Sequence, residues 1–341
     1  MVSVSFVLFA ALSLSIQARP SPGNEPTRTI SVNAVAPPNC FPALGFKMPS
    51  STPSTLNNWW CDMRTEYGFV GFSYEVTDCQ SLSKLRSDFL EIRETFNSRY
   101  IRMYGFCDRP GDNDIIDAAW GAGIGVHALI WFGFDNTDEW MGRRDALFAI
   151  LHSNPKAKFV TRALQFGSEP LFDFVLDPPV LAEQVIAAKA NLSSLKIPVT
   201  ISEMAFGYQS WTQSISSTHT CCRFFSTQAS IANNSWPIVL TDLNWFIDNG
   251  EGKKIYLSEN GWPSVTSDGV QPNSPSAVAN VQNEHDHYTV LDAHCKDFKA
   301  VPGGGVGWFW HIFSDDMEPG YGLFSTSGKL KFSPFAPKTS C

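Results

Sequence analysis

The chain reads as an α/β protein, a (β/α)8 TIM barrel behind an irregular N-terminal arm, and three observations predict this. Seven apolar, strand-like runs recur between Gly68 and Phe313, most of them starting 25 to 40 residues apart, about one βα unit each. Amphipathic segments separate them, and near-continuous apolar strands alternating with helices imply a parallel sheet covered on both faces. No G-x-G-x-x-G follows the first run, and the stretch from Gly68 to the C-terminus matches the ~250 residues of a closed barrel better than an open doubly wound sheet.

The elements follow in order. The apolar opening MVSVSFVLFAALSLSIQA is too short for a comfortable membrane span and ends in small residues, so residues 1–18 are expected to be a cleaved signal peptide. Residues 19–67, rich in Pro, Ser, Thr and Asn up to about Asn58, form the arm. The barrel domain then fills residues 68–341. Its expected strands are Gly68–Glu75, Tyr100–Gly105, Gly125–Gly133, Phe159–Gly167, Pro198–Ala205, Lys254–Trp262 and Gly305–Phe313. Leu82, Leu85, Phe89, Ile92 and Phe96 recur at helical spacing after the first strand. Asp177 and Pro178 read as N-cap and first residue of the helix after the fourth, and Gly250 as the stop of the helix before the seventh.

One unit breaks the rhythm. Seven of the eleven residues from Ser210 to Thr220 are Ser or Thr, with no apolar stripe, so the fifth helix reads as degenerate or missing. The sixth strand, placed at Cys221–Thr227, is poorly specified, and either a loop variant or an error in the gene model accounts for the stretch.

Composition limits the partner. A net charge of −8 argues against nucleic acid, whose binding needs basic patches, and no other run approaches a transmembrane helix. Eleven Trp and 26 Phe fill a core and also suit a sugar-binding cleft, where flat rings stack on pyranose faces. All eight Cys follow the leader, and an even number in a secreted chain favours disulfides over metal. Cys79 and Cys107 follow neighbouring strands and are predicted to pair; Cys40–Cys61 and Cys295–Cys341 are the companion pairs. Asn191 and Asn233 sit in sequons for glycosylation. A secreted monomer without cofactor or metal is the expectation.

Barrels of this kind gather their chemistry at the C-terminal ends of the strands. Those ends carry Tyr104, Trp131, Glu169, Glu203, Glu259, Trp310 and His311. Glu169 and Glu259 lie just past the fourth and seventh strands. Two acids across a barrel mouth are what glycoside hydrolysis needs, one protonated to help the leaving oxygen depart and one ionised to attack or stabilise the anomeric carbon.

The motifs QFGSEPLF, YLSENGWPS, IRMYG and WFWHIFSDDMEPGYGLF, in their order along the chain, resemble elements of glycoside hydrolase family 17, the β-1,3-glucanase family, in a fungal-type secreted member. The likeness runs from Phe69 to Phe324, broken between Gln209 and Phe224. It implies a retaining hydrolase of cell-wall β-1,3-glucan, with Glu169 as general acid/base, Glu259 as nucleophile, and carboxyl groups roughly 5–5.5 Å apart. It further implies that Tyr104 sits near the reacting sugar and that Trp262 and Trp310 line the cleft. The family's asparagine before the acid, which donates to the sugar 2-hydroxyl, is Ser168 here. That substrate contact passes to Ser168 through a bridging water, or to another residue.

Other residues have plainer readings. Glu203 is expected as a hydrogen-bonded auxiliary or in an outward salt bridge; Arg102 serves either the nucleophile or a structural ion pair. Alternation turns His311 away from Trp310, to pack on a helix. Glu284, His285, Asp286 and His287 read as a solvated helix face rather than metal ligands, and Asp315, Asp316 and Glu318 as an acidic loop bordering the cleft. Two rivals to hydrolysis stand. A glucan transglycosylase would use a sugar hydroxyl in place of water, and a non-catalytic carbohydrate-binding or wall protein would retain only the cleft.

Overall fold

The computed structural model describes residues 6–8, 39–76, 79–109, 111–133, 137–214, 231–267, 271–272 and 274–341. Its strands are β1 Phe6–Leu8, β2 Gly68–Tyr74, β3 Tyr100–Met103, β4 Gly125–Ile130, β5 Thr161–Ser168, β6 Val199–Glu203, β7 Ile255–Asn260 and β8 Val306–Trp310. They close a barrel in the order β1-β6-β5-β4-β3-β2-β8-β7. The seven strands from β2 to β8 are those expected, shortened at the ends except that β5 runs one residue farther to Ser168, and every pairing among them is parallel.

The remaining stave is unusual. β1 runs antiparallel between β6 and β7, with Phe6 opposite both Glu203 and Leu257. Its three residues lie inside the segment read as a leader, so closure of the seam in this form requires that segment to be retained. The expected strand Cys221–Thr227 lies outside the described residues.

The principal barrel helices on the outer face are α1 Leu82–Thr95, α2 Asp114–Ala122, α3 Glu139–Ser153, α4 Ala157–Val160, α5 Pro178–Leu192, α6 Ala205–Ser214, α7 Trp236–Asn249, α8 Val281–Ala293 and α9 Cys295–Ala300. The Ser81 side chain caps α1 by accepting from the Lys84 N–H, and Leu85, Phe89 and Ile92 face the core, as the spacing required. Asp177 occupies the N-cap of α5 without making a capping bond. α6 corrects the expectation of a missing fifth helix. Ala205, Tyr208 and Trp211 give it a short stripe at three-residue spacing: Tyr208 stacks on Trp245, and Trp211 Nε1 donates to the Leu171 carbonyl at 2.9 Å. The Ser/Thr-rich stretch begins only after this stripe is under way.

The arm is a lid on the N-terminal end of the barrel. Cys40–Cys61 closes it, and Trp59 lies between Phe41 and Trp120 while donating to the Phe159 carbonyl at 2.7 Å. Cys295–Cys341 fastens the C-terminus to α9. Cys79 and Cys107 meet as their loops required, yet remain free thiols. The Cys79 sulfur is turned onto the Cys107 carbonyl, 3.7 Å away, so the predicted disulfide is absent.

The barrel interior is layered. Glu66 lies at the bottom, fully buried, against Arg162 at 2.8 Å and Arg99 at 3.8 Å, and accepts from the hydroxyls of Tyr100 and Tyr256. An aromatic plug of Tyr100, His127, Tyr256 and Phe309 sits above it in edge-to-face contact. Burial depresses His127 to about 3, and His287, buried behind the cleft wall, to about 4. Half of the segment read as a solvated acidic–histidine face is therefore interior: Glu284 and His287 are both fully buried.

Histidines that stay neutral in the fold but charge in the unfolded chain bind fewer protons when folded, so stability must rise with pH between the two pKa values. In denaturant unfolding, as pH drops from about 6.5, the ordinary histidine value, towards 4, each of the two histidines should take about 1.4 kcal/mol of stability per pH unit, against an opposite contribution from Glu284, whose pKa burial pushes up to about 9. His287→Asn should lower that slope by about one proton; an unchanged slope would contradict the assignment.

Candidate active site

The C-terminal mouth is organised by Arg102. Its side chain, fully buried on β3, reaches across the barrel to donate to Gln165 Oε1 at 3.0 Å, Ser168 Oγ at 2.8 Å and Ser202 Oγ at 3.3 Å. It pairs with Glu259 Oε1 at 2.8 Å and lies 4.0 Å from the centre of the Tyr104 ring. Of the two readings open for Arg102, the geometry shows a pair with Glu259 at the mouth and not an ion pair in the barrel floor.

Glu259 receives three kinds of support. Besides Arg102, the Ser168 hydroxyl donates to it at 2.6 Å and the Tyr104 hydroxyl hydrogen-bonds it. Burial would raise its pKa, but Arg102, His311 and the two hydroxyls hold it below the usual carboxylate range. Ser168 thus spends its proton on Glu259 and accepts from Arg102; its hydroxyl faces the second acid, not outward.

Local backbone irregularity lets these groups converge. Strict alternation would send Ser258 and Glu259 to opposite faces. The register of β7 against β8 shifts between Leu257 and Asn260, and that of β5 against β6 shifts between Gln165 and Ser168. Glu169 leaves β5 in the left-handed region at φ 52°, after Gly167 at φ 91°, while its N–H donates to the Ser202 carbonyl at 2.7 Å. Burial, with the charges of Glu318, Glu259 and Glu169, raises the Tyr321 pKa above the usual phenol range. Asp173, nearby, is pushed up to about 6 by burial and Glu259.

Glu203 proves to be the hydrogen-bonded auxiliary. Its carboxyl, fully buried, accepts the N–H groups of Leu171 at 2.6 Å and Met204 at 2.9 Å, and so ties the loop after Glu169 to β6. Burial and the Glu169 charge push its pKa well up.

Two expected cleft residues lie elsewhere. Trp310 is fully buried among Tyr288, Phe332 and Phe335, and Trp262, equally buried, donates to the Val278 carbonyl at 2.9 Å. Trp310 faces the helical shell because β8 turns the next residue inward instead, and Trp262, just past β7, packs beside His287 of α8. His311 sits at the mouth, with Nδ1 3.0 Å from Tyr104 Oη and Nε2 2.8 Å from Glu318 Oε2. Tyr104, Trp131 and Tyr321 are the aromatic groups gathered there, Trp131 and Tyr104 edge to face at 6.2 Å and Tyr321 against His311 at 5.2 Å. Among the described residues no group of three His, Cys, Asp or Glu could hold a metal ion, and no helix is long and apolar enough to cross a membrane.

The barrel carries Glu169 just past β5 and Glu259 near the end of β7, an architecture shared with solved barrels of glycoside hydrolases. Solved structures place the likeness more narrowly. The glycoside hydrolase family 17 β-1,3-glucanosyltransferase of Rhizomucor miehei superposes with a TM-score of 0.59 at 17% identity, over 82% of this chain and 99% of that one. An active-site mutant of the Rhizomucor miehei β-1,3-glucanosyltransferase, in complex with laminaritriose, gives the same score and identity over 81% and 99%. The likeness is one of fold. No family model matches the chain, and no curated protein matches it in sequence.

Ser168→Ala should remove one charge-assisted donor from Glu259 while leaving Arg102 in place. The Glu259 carboxyl, followed by carbon NMR of labelled glutamate, is expected to titrate about one pH unit higher; an unmoved titration would mean that Ser168 does not hold the charge.

Proposed function

We propose that this chain is a secreted retaining glycosidase of β-1,3-linked glucan, with Glu259 as nucleophile and Glu169 as acid/base. The observation that carries the reading is the asymmetry of the two acids: Glu259 is held ionised by Arg102, Ser168 and Tyr104, and Glu169 stands at the same mouth on a separate, strained turn. In the first step the Glu259 carboxylate attacks the anomeric carbon, the glycosidic bond breaks, and Glu169 gives its proton to the leaving oxygen. In the second, Glu169 takes a proton from the incoming hydroxyl, whose oxygen bonds the anomeric carbon as Glu259 departs. Ionised Glu259 is needed at the start and regenerated at the end, which is what its three partners favour.

Transfer to a sugar hydroxyl rather than water is the second reading, favoured by the fold likeness to a glucanosyltransferase. Secretion is consistent with the apolar N-terminal segment and the two disulfides. It would also remove β1 from the seam, and intact-mass analysis of exported protein decides whether the chain begins beyond Ala18.

On laminari-oligosaccharides, Glu259→Ala is expected to lose activity by about a thousandfold or more. Glu169→Ala should retain turnover only of substrates with good leaving groups, and azide should rescue it as a β-glycosyl azide. Products longer than the substrate would assign transfer; glucan binding without cleavage by the wild type would overturn the enzyme reading.

A further inference from the structure

His311 is joined to the nucleophile through one shared hydroxyl. Its Nε2 faces the Glu318 carboxylate at 2.8 Å, and a carboxylate only accepts, so Nε2 carries a proton. Its Nδ1 faces Tyr104 Oη at 3.0 Å, with Ser73 Oγ farther away at 3.4 Å. Tyr104 has a single proton and two acceptors competing for it, Glu259 and, when His311 is neutral, Nδ1. Once His311 is protonated, Nδ1–H donates to Tyr104 Oη and the hydroxyl proton has only Glu259 to serve.

Resting on the assignment of Glu259 as nucleophile, we infer that His311 is a positioning residue whose protonation aims the Tyr104 hydroxyl at Glu259. Its neutral form lets that hydroxyl turn away. The step most sensitive to the switch is the second, in which Glu259 regains its charge as the covalent bond to the sugar breaks and needs every donor available.

The surroundings suit such a device. The charged and titratable groups facing His311 are Glu75 at the end of β2, Arg102 and Tyr104 at the end of β3, Glu259 from β7, and Glu318 and Tyr321 from the loop after β8. Burial and Arg102 disfavour the imidazolium, but Glu318 and Glu259 outweigh them and raise its pKa above the ordinary histidine value. Glu318 is 38% exposed while His311 is 8% exposed, so protons reach the ring from the Glu318 side. Glu75, itself pushed up by burial and by Glu318, belongs to the same cluster. The sign is fixed by this arrangement. Tyr104 supports Glu259 below the His311 pKa, and the support is lost as pH rises through it, producing an alkaline fall in kcat that would otherwise be credited to Glu169.

The experiment compares kcat–pH profiles on laminari-oligosaccharides for wild type, Glu318→Gln, His311→Phe and Tyr104→Phe, with histidine nitrogen NMR of the wild type. Glu318→Gln should move the alkaline limb down by about one pH unit by removing the charge that favours the imidazolium. His311→Phe, which leaves Tyr104 no acceptor but Glu259, should abolish that limb. Glu318→Gln should have no effect on the limb in a Tyr104→Phe background. The wild-type ring should pass from doubly protonated to the Nε2–H tautomer over the limb. One alkaline limb common to wild type, Glu318→Gln and His311→Phe, or an Nδ1–H tautomer at high pH, would overturn the inference. Trapping with a 2-deoxy-2-fluoro glucosyl fluoride and peptide mass spectrometry separates the two readings. Labelled Glu259 with unmoved limbs defeats only the role of His311, whereas a label on another residue defeats the assignment of the nucleophile as well.

Discussion

The buried pair of Arg102 and Glu259 is the interaction on which the mouth of the barrel depends. Taking two charges out of water costs several kcal/mol each, and their attraction repays this only when the remaining donors are also satisfied. That requirement reaches well beyond the pair. Gln165 on β5, Ser168 at its end and Ser202 on β6 all turn inward to receive Arg102, and the Tyr104 ring covers the guanidinium. Four strands are committed to one cation. The bottom of the barrel repeats the solution with opposite sign, Glu66 being the single anion surrounded by Arg99, Arg162 and two tyrosine hydroxyls. Between the two lies an uncharged aromatic plug, which keeps the charge layers apart.

The inner ring shows why part of this was legible in the sequence. Ser168-Glu169, Ser202-Glu203 and Ser258-Glu259 repeat one dipeptide at three strand ends. The serines form the ring around Arg102, with Ser202 and Ser258 hydroxyls 2.9 Å apart, and the glutamates take three different duties. Strand positions and the two acids follow from apolar periodicity and from the rule that barrels place chemistry at strand ends. The serine repeat is the sequence signal for the ring, and it is masked at Ser168, which reads first as a replacement for asparagine.

Other features were out of reach for physical reasons. Alternation along β8 holds, but in the opposite phase to the one the resemblance implies: Trp310 packs outside the barrel wall and His311 faces the mouth, while Trp262 lies buried as well. The register shifts that aim Ser168 and Glu259 have no signature in the local pattern of residues. The acidic–histidine segment on α8 looked solvent-facing because charge was equated with exposure. Glu284 instead lies buried 3.2 Å from Lys331, and His287 is bonded to Ser235 at 2.8 Å. α6 is hard to see in the sequence because its packing residues Ala205, Tyr208 and Trp211 run into the Ser/Thr-rich stretch that begins at Ser210. The antiparallel stave has no local signature at all, since its pairing joins residues about 200 to 250 positions apart.

Glu203 makes the position of the acid depend on a glycine that touches neither acid nor sugar. A Cβ on Gly207 would lie 2.2 Å from Glu203 Oε1. Any side chain there must displace the carboxyl that fastens Leu171, and with it the turn that presents Glu169. The tolerance of this chain to sequence drift therefore has a blind spot on the outer side of the barrel, in the first turn of α6. A change there would sit in a helix, remote in sequence from Glu169, and still shift the turn that carries it.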